Sequence, residues 1–387
     1  MKQSLYCGRG NHLSCNELME LLNLSFNFTD PEHQFPGILP KCYREEYRPQ
    51  DSNYVVVDEN GALVAAVGAY DHELTVCGRR IPCRGIGNVA VHPDHRKKGY
   101  MKLAMNQSLE DMIADGIALS TLGGRRQRYQ YFGYDKAGPL YTFEVSAQNI
   151  HHLFNDEPAR YEVKVITDPA DPLIDDILAL NAQNVVVPTR PREAYLDIAH
   201  SWYGMLLALT DENGFVGYAI QVYSNMISEI RVARDEIFMD CLRALYDYIG
   251  GTFRVDVPPY QAAYVNALAP VAESLSLGVA MFFNVLDYRL VTEAFLALKL
   301  TYASIPDGSI TLLIHGYARD ERIRLTVRNG RPLVAVIPDS EPVDYELSHL
   351  DAITFLFSPF SPIRENASPL AKAWFPLPIC MYRADEV

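Results

Sequence analysis

The chain has 387 residues, 49 % of them hydrophobic and 21 % charged, which supplies cores for two or three domains at roughly 100–200 residues each. A net charge of −14 excludes the broad basic face that nucleic-acid binding needs and is compatible with a cationic partner. Seven scattered cysteines without a C-x-x-C exclude a zinc ribbon or redox dithiol. With no membrane-length apolar run and no signal-peptide core, a reduced, cytoplasmic, membrane-free protein is expected.

In chain order, SCNELMELLNLSF (14–26) predicts a helix capped by Ser14, followed by a Pro-, Asp- and Glu-rich loop. NYVVVDENGALVAAVGAY (53–70) predicts strand, turn and strand. ELTVCGRRIPCRG predicts a hairpin turning at Cys77-Gly78-Arg79, with Cys77 and Cys83 flanking it, and IGNVAV (86–91) a further strand. YMKLAMNQSLEDMIADG (100–116) is an amphipathic helix closed by Gly116, IALSTL (117–122) is strand-like, and YFGYDKAGPLYTFEV (131–145) is a loop and strand. MLLALTDENGFVGYAIQVY (205–223), ISEIRVA, the helix DEIFMDCLRALYDYIG and the strand FRVDVPP repeat this order, as an internal duplication would. From about 287 the pattern changes to a helix, RLVTEAFLALKLTYASIP, and the strands SITLLIHGY, IRLTVRNGRPLVAVIP and AITFLFS, with a hairpin turn at Asn329-Gly330. The expected class is α/β, in units 1–148, 149–286 and 287–387.

Chemistry concentrates at VAVHPDHRKKGYM. A strand hands over to a helix through Arg96, Lys97, Lys98 and Gly99. The helix start offers unpaired N–H groups and a partial positive charge, and the glycine leaves room for close approach, so the turn suits a phosphate or pyrophosphate. The second copy has only RVARDEIFM there. His92 and His95 have H-x-x-H spacing but no third ligand, so no metal site is expected.

R-x-x-G opening a helix after V-x-V-x-P resembles the acetyl-coenzyme A motif of GNAT acetyltransferases, with Met101 where a second small residue is usual. LGGRRQRYQYFGYDKAG (122–138) narrows the resemblance to the Eis-type ("enhanced intracellular survival") enzymes. The resemblance implies tandem GNAT folds followed by a sterol-carrier-protein-like C-terminal domain. It implies that acetyl-CoA is held by Val89, Val91, Arg96, Lys97, Lys98, Gly99, Tyr100 and Met101, without a metal. Tyr129 matches the family's general acid, with Tyr131 as the alternative because the RRQR loop is long. The family's base is a terminal carboxylate, here that of Val387, with Asp385 and Glu386 as neighbouring substitutes. Phe26, Asp30 and Glu32 are the expected acceptor wall, suited to a cationic small-molecule or lysine amine. Arg125, Arg126 and Arg128 are either a solvated face, phosphate contacts or ion-pair partners. The implied activity is direct acetyl transfer to a primary amine (aminoglycoside-like, polyamine or lysine) in a homo-oligomer, trimeric or hexameric. The competing reading is a non-catalytic, CoA-responsive or apolar-ligand-binding scaffold.

Overall fold

The computed structural model describes residues 4–27, 34–155 and 157–387. Its backbone is organised by a long sheet built from β1 (Tyr6–Arg9), β2 (Asn53–Val57), β3 (Leu63–Val76), β4 (Arg79–Val91), β5 (Leu119–Leu122), β6 (Asp135–Val145), β7 (Glu162–Ile166), β8 (Val186–Pro188), β9 (Met205–Asp211), β10 (Gly214–Val222), β11 (Met226–Val232), β12 (Phe253–Val257) and β13 (Ser274–Val285). The order is β1-β2-β3-β4-β5-β13-β6-β12-β11-β10-β9-β7, with β8 added beside β3. A separate sheet, β16-β15-β14-β17, is formed by β14 (Gly308–His315), β15 (Asp320–Arg328), β16 (Arg331–Val336) and β17 (Tyr345–Ser348).

The duplication read from sequence reappears as geometry. β2, β3 and β4 pair antiparallel, and β5 returns parallel to β4 after the helix Tyr100–Ala114. β9, β10 and β11 do the same, and β12 returns parallel to β11 after the helix Phe238–Ile249. Each crossover helix buries one stripe, in the first case Ala104, Met105, Ser108, Leu109 and Met112. The opening helix, Cys15–Phe26, starts in a full capping box between Ser14 and Glu17 and buries Leu18, Leu21 and Leu22.

Two features depart from the sequence reading. β13, at the end of the expected unit 149–286, lies between β5 and β6 of the first unit and pairs antiparallel with both. Its side chains alternate: Phe282 packs in the first half's core, while Met281, Phe283 and Val285 pack in the core shared with the C-terminal unit. AITFLFS is not a strand but part of the helix His349–Phe357. A short, wholly apolar run reads alike for a buried strand and a buried helix. The choice is made by the Ser348 side chain, which accepts from the Asp351 N–H as an N-cap. Cys77 and Cys83 are not joined, as all seven thiols are free.

Candidate active site

β4 and β5 pair from Cys83↔Leu119 to Ile86↔Leu122 and then part, because β5 ends while β4 runs on to Val91. At the parting point β4 bulges: the register against β3 shifts between Ala66 and Gly68, and Asn88 takes φ 37°. Such a bulge turns backbone amides away from the regular ladder. It is held by a buried polar network. The Asn88 Oδ1 accepts from the Tyr43 hydroxyl (2.5 Å), its Nδ2 donates to Asn53 Oδ1 (2.7 Å), and Asn53 Nδ2 reaches Pro49 O (2.8 Å) and Tyr70 Oη (3.1 Å).

Beyond the bulge a cavity of about 610 Å³ lies along the end of β4 and the start of the Tyr100–Ala114 helix. Val89, Val91, Arg96, Lys97, Gly99, Tyr100 and Met101 line it, as does Arg128. Lys98 does not; its Nζ lies 3.5 Å from His95 Nδ1. Lys97 and Gly99 are both left-handed, with φ 67° and 85°. Gly99 is the N-cap and brings no capping side chain, so the first-turn amides keep their donors for a ligand. A Cβ at Gly99 would meet nothing; what selects glycine there is the positive φ. The motif therefore fits a pyrophosphate. His92 accepts from the Asp94 N–H (3.2 Å) and serves as a local cap. Among the described residues no group of three or more His, Cys, Asp or Glu is arranged to hold a metal.

A second cavity, about 410 Å³, continues from Val89 and Arg128 along Gly87 to Tyr129 and Val387. Gly124, at φ 138°, makes room for Tyr129: a Cβ there would stand 2.7 Å from the ring's Cε2. The RRQR loop leads from Arg125 into a single helical turn, Arg126–Tyr129, pinned by a bidentate Arg126–Asp135 pair (2.7 and 3.0 Å) with Gln130 on the same carboxylate. This turn carries Tyr129 inward to 6 % exposure and leaves Tyr131 outside at 61 %, beneath Lys102. Burial raises the Tyr129 phenol above its ordinary value, against the opposing pull of Arg128, so the group stays protonated at neutral pH.

The chain end is locked in place, not frayed. Ala384 packs in the second half's core and its carbonyl accepts from Lys41 Nζ (2.5 Å). Trp202 Nε1 donates to the Glu386 carbonyl (3.3 Å), and Arg383 holds the Glu386 carboxylate (2.8 Å). A Cβ on Gly87 would lie 3.4 Å from the backbone carboxyl carbon of Val387, which sets that carbon against β4. Burial lifts Glu386 to about 7, despite Arg383 and Lys41. Asp385 is held by Arg190 and lines the cavity behind Val387, not the one that contains Tyr129.

Of the expected acceptor wall, Phe26 lines both cavities, so it serves the cofactor side as well. Asp30 and Glu32 lie outside the described residues. Behind Val387 lies a cavity of about 690 Å³ lined by Asp71, Glu73, Asp115 and His72 together with Lys41 and Arg84. Its carboxylates are already paired, Asp71 and Asp115 with the buried Arg84 and Glu73 with Arg80. Burial lowers His72 to about 4, so it is neutral, and its buried Nε2 has no hydrogen-bond partner among the described residues. Trp202, Arg383 and Met281 complete the central cavity. They come from distant segments and carry no motif; the scarcity of tryptophan was the single available signal for Trp202.

Residues 13–137 match the family described as an acetyltransferase (GNAT) domain. No curated protein matches the chain by sequence. Among solved structures it is similar to a GCN5-related N-acetyltransferase from Kribbella flavida (18 % identity, 91 % of this chain and 89 % of that one, TM-score 0.65). It is similar too to one from Anabaena variabilis (14 %, 99 % and 98 %, 0.65) and to Eis1 from Mycobacterium abscessus (14 %, 98 % and 98 %, 0.60). At these identities the solved structures bear on the fold, and the domain match bears on the chemistry. The chain carries a GNAT-type acetyltransferase domain over residues 13–137, which makes it an enzyme of acyl transfer.

Proposed function

We propose that this acyltransferase is an Eis-type enzyme that transfers an acetyl group from acetyl-CoA to a primary amine, by direct attack within a ternary complex. The observation that carries the reading is that Tyr129 and Val387 line one cavity, which shares Phe26, Val89 and Arg128 as walls with the cavity at the Gly99 helix cap. The donor, when bound, supplies an activated thioester. Amides of Arg96 to Met101 hold its phosphates, and a β4 amide near Val89 polarises the carbonyl. The carboxylate of Val387 takes a proton from the incoming ammonium and passes it to solvent. The neutral amine forms the C–N bond as the C–S bond breaks, the Tyr129 hydroxyl gives its proton to the departing thiolate, and the surplus proton on the acylated nitrogen restores the phenol. No cysteine lines the central cavity, which favours direct transfer over a covalent route.

The acceptor enters from the cavity behind Val387, the open space that reaches the terminal residue from the side away from the Gly99 cap. We read the chain as two GNAT folds, 1–148 and 149–286, with a sterol-carrier-like unit, 287–387, that delivers the tail.

The test is free-thiol release from acetyl-CoA over an aminoglycoside, a polyamine and a lysine peptide, for the wild type and a chain lacking Asp385 to Val387. Turnover lost on truncation supports the reading; turnover that survives removes Val387 from it. Acetyl-CoA binding without turnover of any amine moves the reading to a scaffold.

A further inference from the structure

Arg190 is fully buried and lies just after β8, the short strand that joins the second half to β3. Its guanidinium is shared by two buried carboxylates. Nη1 and Nη2 donate to Glu229 on β11 (3.1 and 2.7 Å), and Nε and Nη2 donate to Asp385 of the tail (3.0 and 2.7 Å). Tyr218 donates to the same Glu229 (2.6 Å). Side-chain exposures are 0 % for Arg190, 2 % for Glu229 and 8 % for Asp385. A buried charge-assisted pair with bidentate geometry fixes direction as well as position. A buried ion triad is weak evidence for stability by itself, since apolar packing of equal volume does as well. What it adds here is specificity of place: Asp385 is two residues from Val387.

We infer that Arg190 and Glu229 are positioning residues, and that the second half of the chain acts as a clamp setting the carboxylate of Val387 against β4. The inference rests on the proposed role of that carboxylate. Two residues of backbone separate the clamp from the base, so a loosened Asp385 lets the carboxylate drift by an ångström or more. Displacement of that size costs roughly 10²-fold in rate. Cofactor binding is on the far side of the bulge, in a cavity that no clamp residue lines.

The experiment uses full-length Asp385→Asn and Asp385→Ala. The first leaves Arg190 paired one to one with Glu229, so no buried charge is orphaned and the fold is retained. Two readouts are taken. Carboxypeptidase release of the terminal valine, followed by intact mass, reports the tail without any need for activity. Acetyl-CoA turnover gives kcat and KM separately. The expected result is valine released roughly tenfold faster or more, as loss of a charged hydrogen bond allows. With it, kcat falls roughly 10²-fold while KM for acetyl-CoA is unchanged. A tail still closed to the protease, with full turnover, overturns the clamp and leaves Val387 as base. A tail opened with full turnover overturns Val387 as base, and the positioning role with it.

Discussion

In the first half, β4 and β5 part after Ile86, and Val89 and Val91 face a cavity. In the second half, β11 and β12 pair only at Met226↔Arg254 and Ile227↔Val255 before they part, and the gap is filled by the chain itself. The Tyr264 hydroxyl accepts from the Val232 N–H (3.1 Å), Gln261 Nε2 donates to the Ile230 carbonyl (3.4 Å), and Phe238 stacks on Tyr264 at 4.0 Å. Where the first half enters its helix through Arg96, Lys97 and Lys98, the second has Asp235 and Glu236. One strand order thus yields a gap open at its freed amides or a gap closed there, according to whether a following side chain satisfies them. β11, the wall of this closed gap, carries Glu229, the carboxylate that pairs with Arg190.

Removing the proposed acid of the first cleft is the strongest way to break the comparison. Tyr129→Phe is expected to lower turnover roughly 10²- to 10⁴-fold with acetyl-CoA binding intact; equal turnover in a stopped thiol assay would return Tyr129 to the core.

Glu386 lines both the central cavity and a cavity of about 280 Å³ that includes Ser228 and Asp256 of the second half. Its folded pKa, about 7, lies above the ordinary 4.5, so the native state holds the extra proton between those values and stability falls as pH rises through that window. Glu386→Gln removes this slope. The difference between variant and wild type in melting experiments should grow in the variant's favour from pH 4.5 to 7, by on the order of 2 kcal/mol. A constant difference across that range is the contrary result.

Gly99→Val disturbs the left-handed cap of the first cleft alone. KM for acetyl-CoA is expected to rise roughly tenfold with little change in kcat, as loss of uniform binding does. An unchanged KM would mean that the cap does not meet the donor.

Tyr264→Phe tests the plugged side. It strips the acceptor from the Val232 N–H and should cost about 1–3 kcal/mol in denaturant unfolding without altering kinetics. Calorimetry should find one acetyl-CoA per chain before and after; a second site in either protein would end the distinction between the halves.

Much of the first cleft could be read from residues 86–138, because the binding strand, its turn and its helix are consecutive and the turn chemistry is local. The repeated strand–turn–strand pattern likewise led to the right topology for the second half. What stayed hidden depends on pairs far apart in sequence. Nothing in SLSLGVAMFFNV tells β13 to enter between β5 and β6, and nothing near Arg190 points to Asp385. AITFLFS failed for the other reason, a local signal too short to choose between two periods. The tail's tight seat could not be read from ADEV, since its partners lie on Lys41, Arg190 and Trp202.

The placement of β13 also bears on how the protein reaches its native state. β5 and β6 are made early, yet the strand that joins them arrives after the whole second half has been synthesised. Until then the first half exposes two unpaired strand edges, a hazard for association between nascent chains. Closing such distant pairings is slow, because loop entropy has to be lost before the contacts reward it. Folding of the first half is therefore coupled to completion of the second, and a fragment cut near residue 148 is expected to be collapsed and aggregation-prone instead of a working half-enzyme.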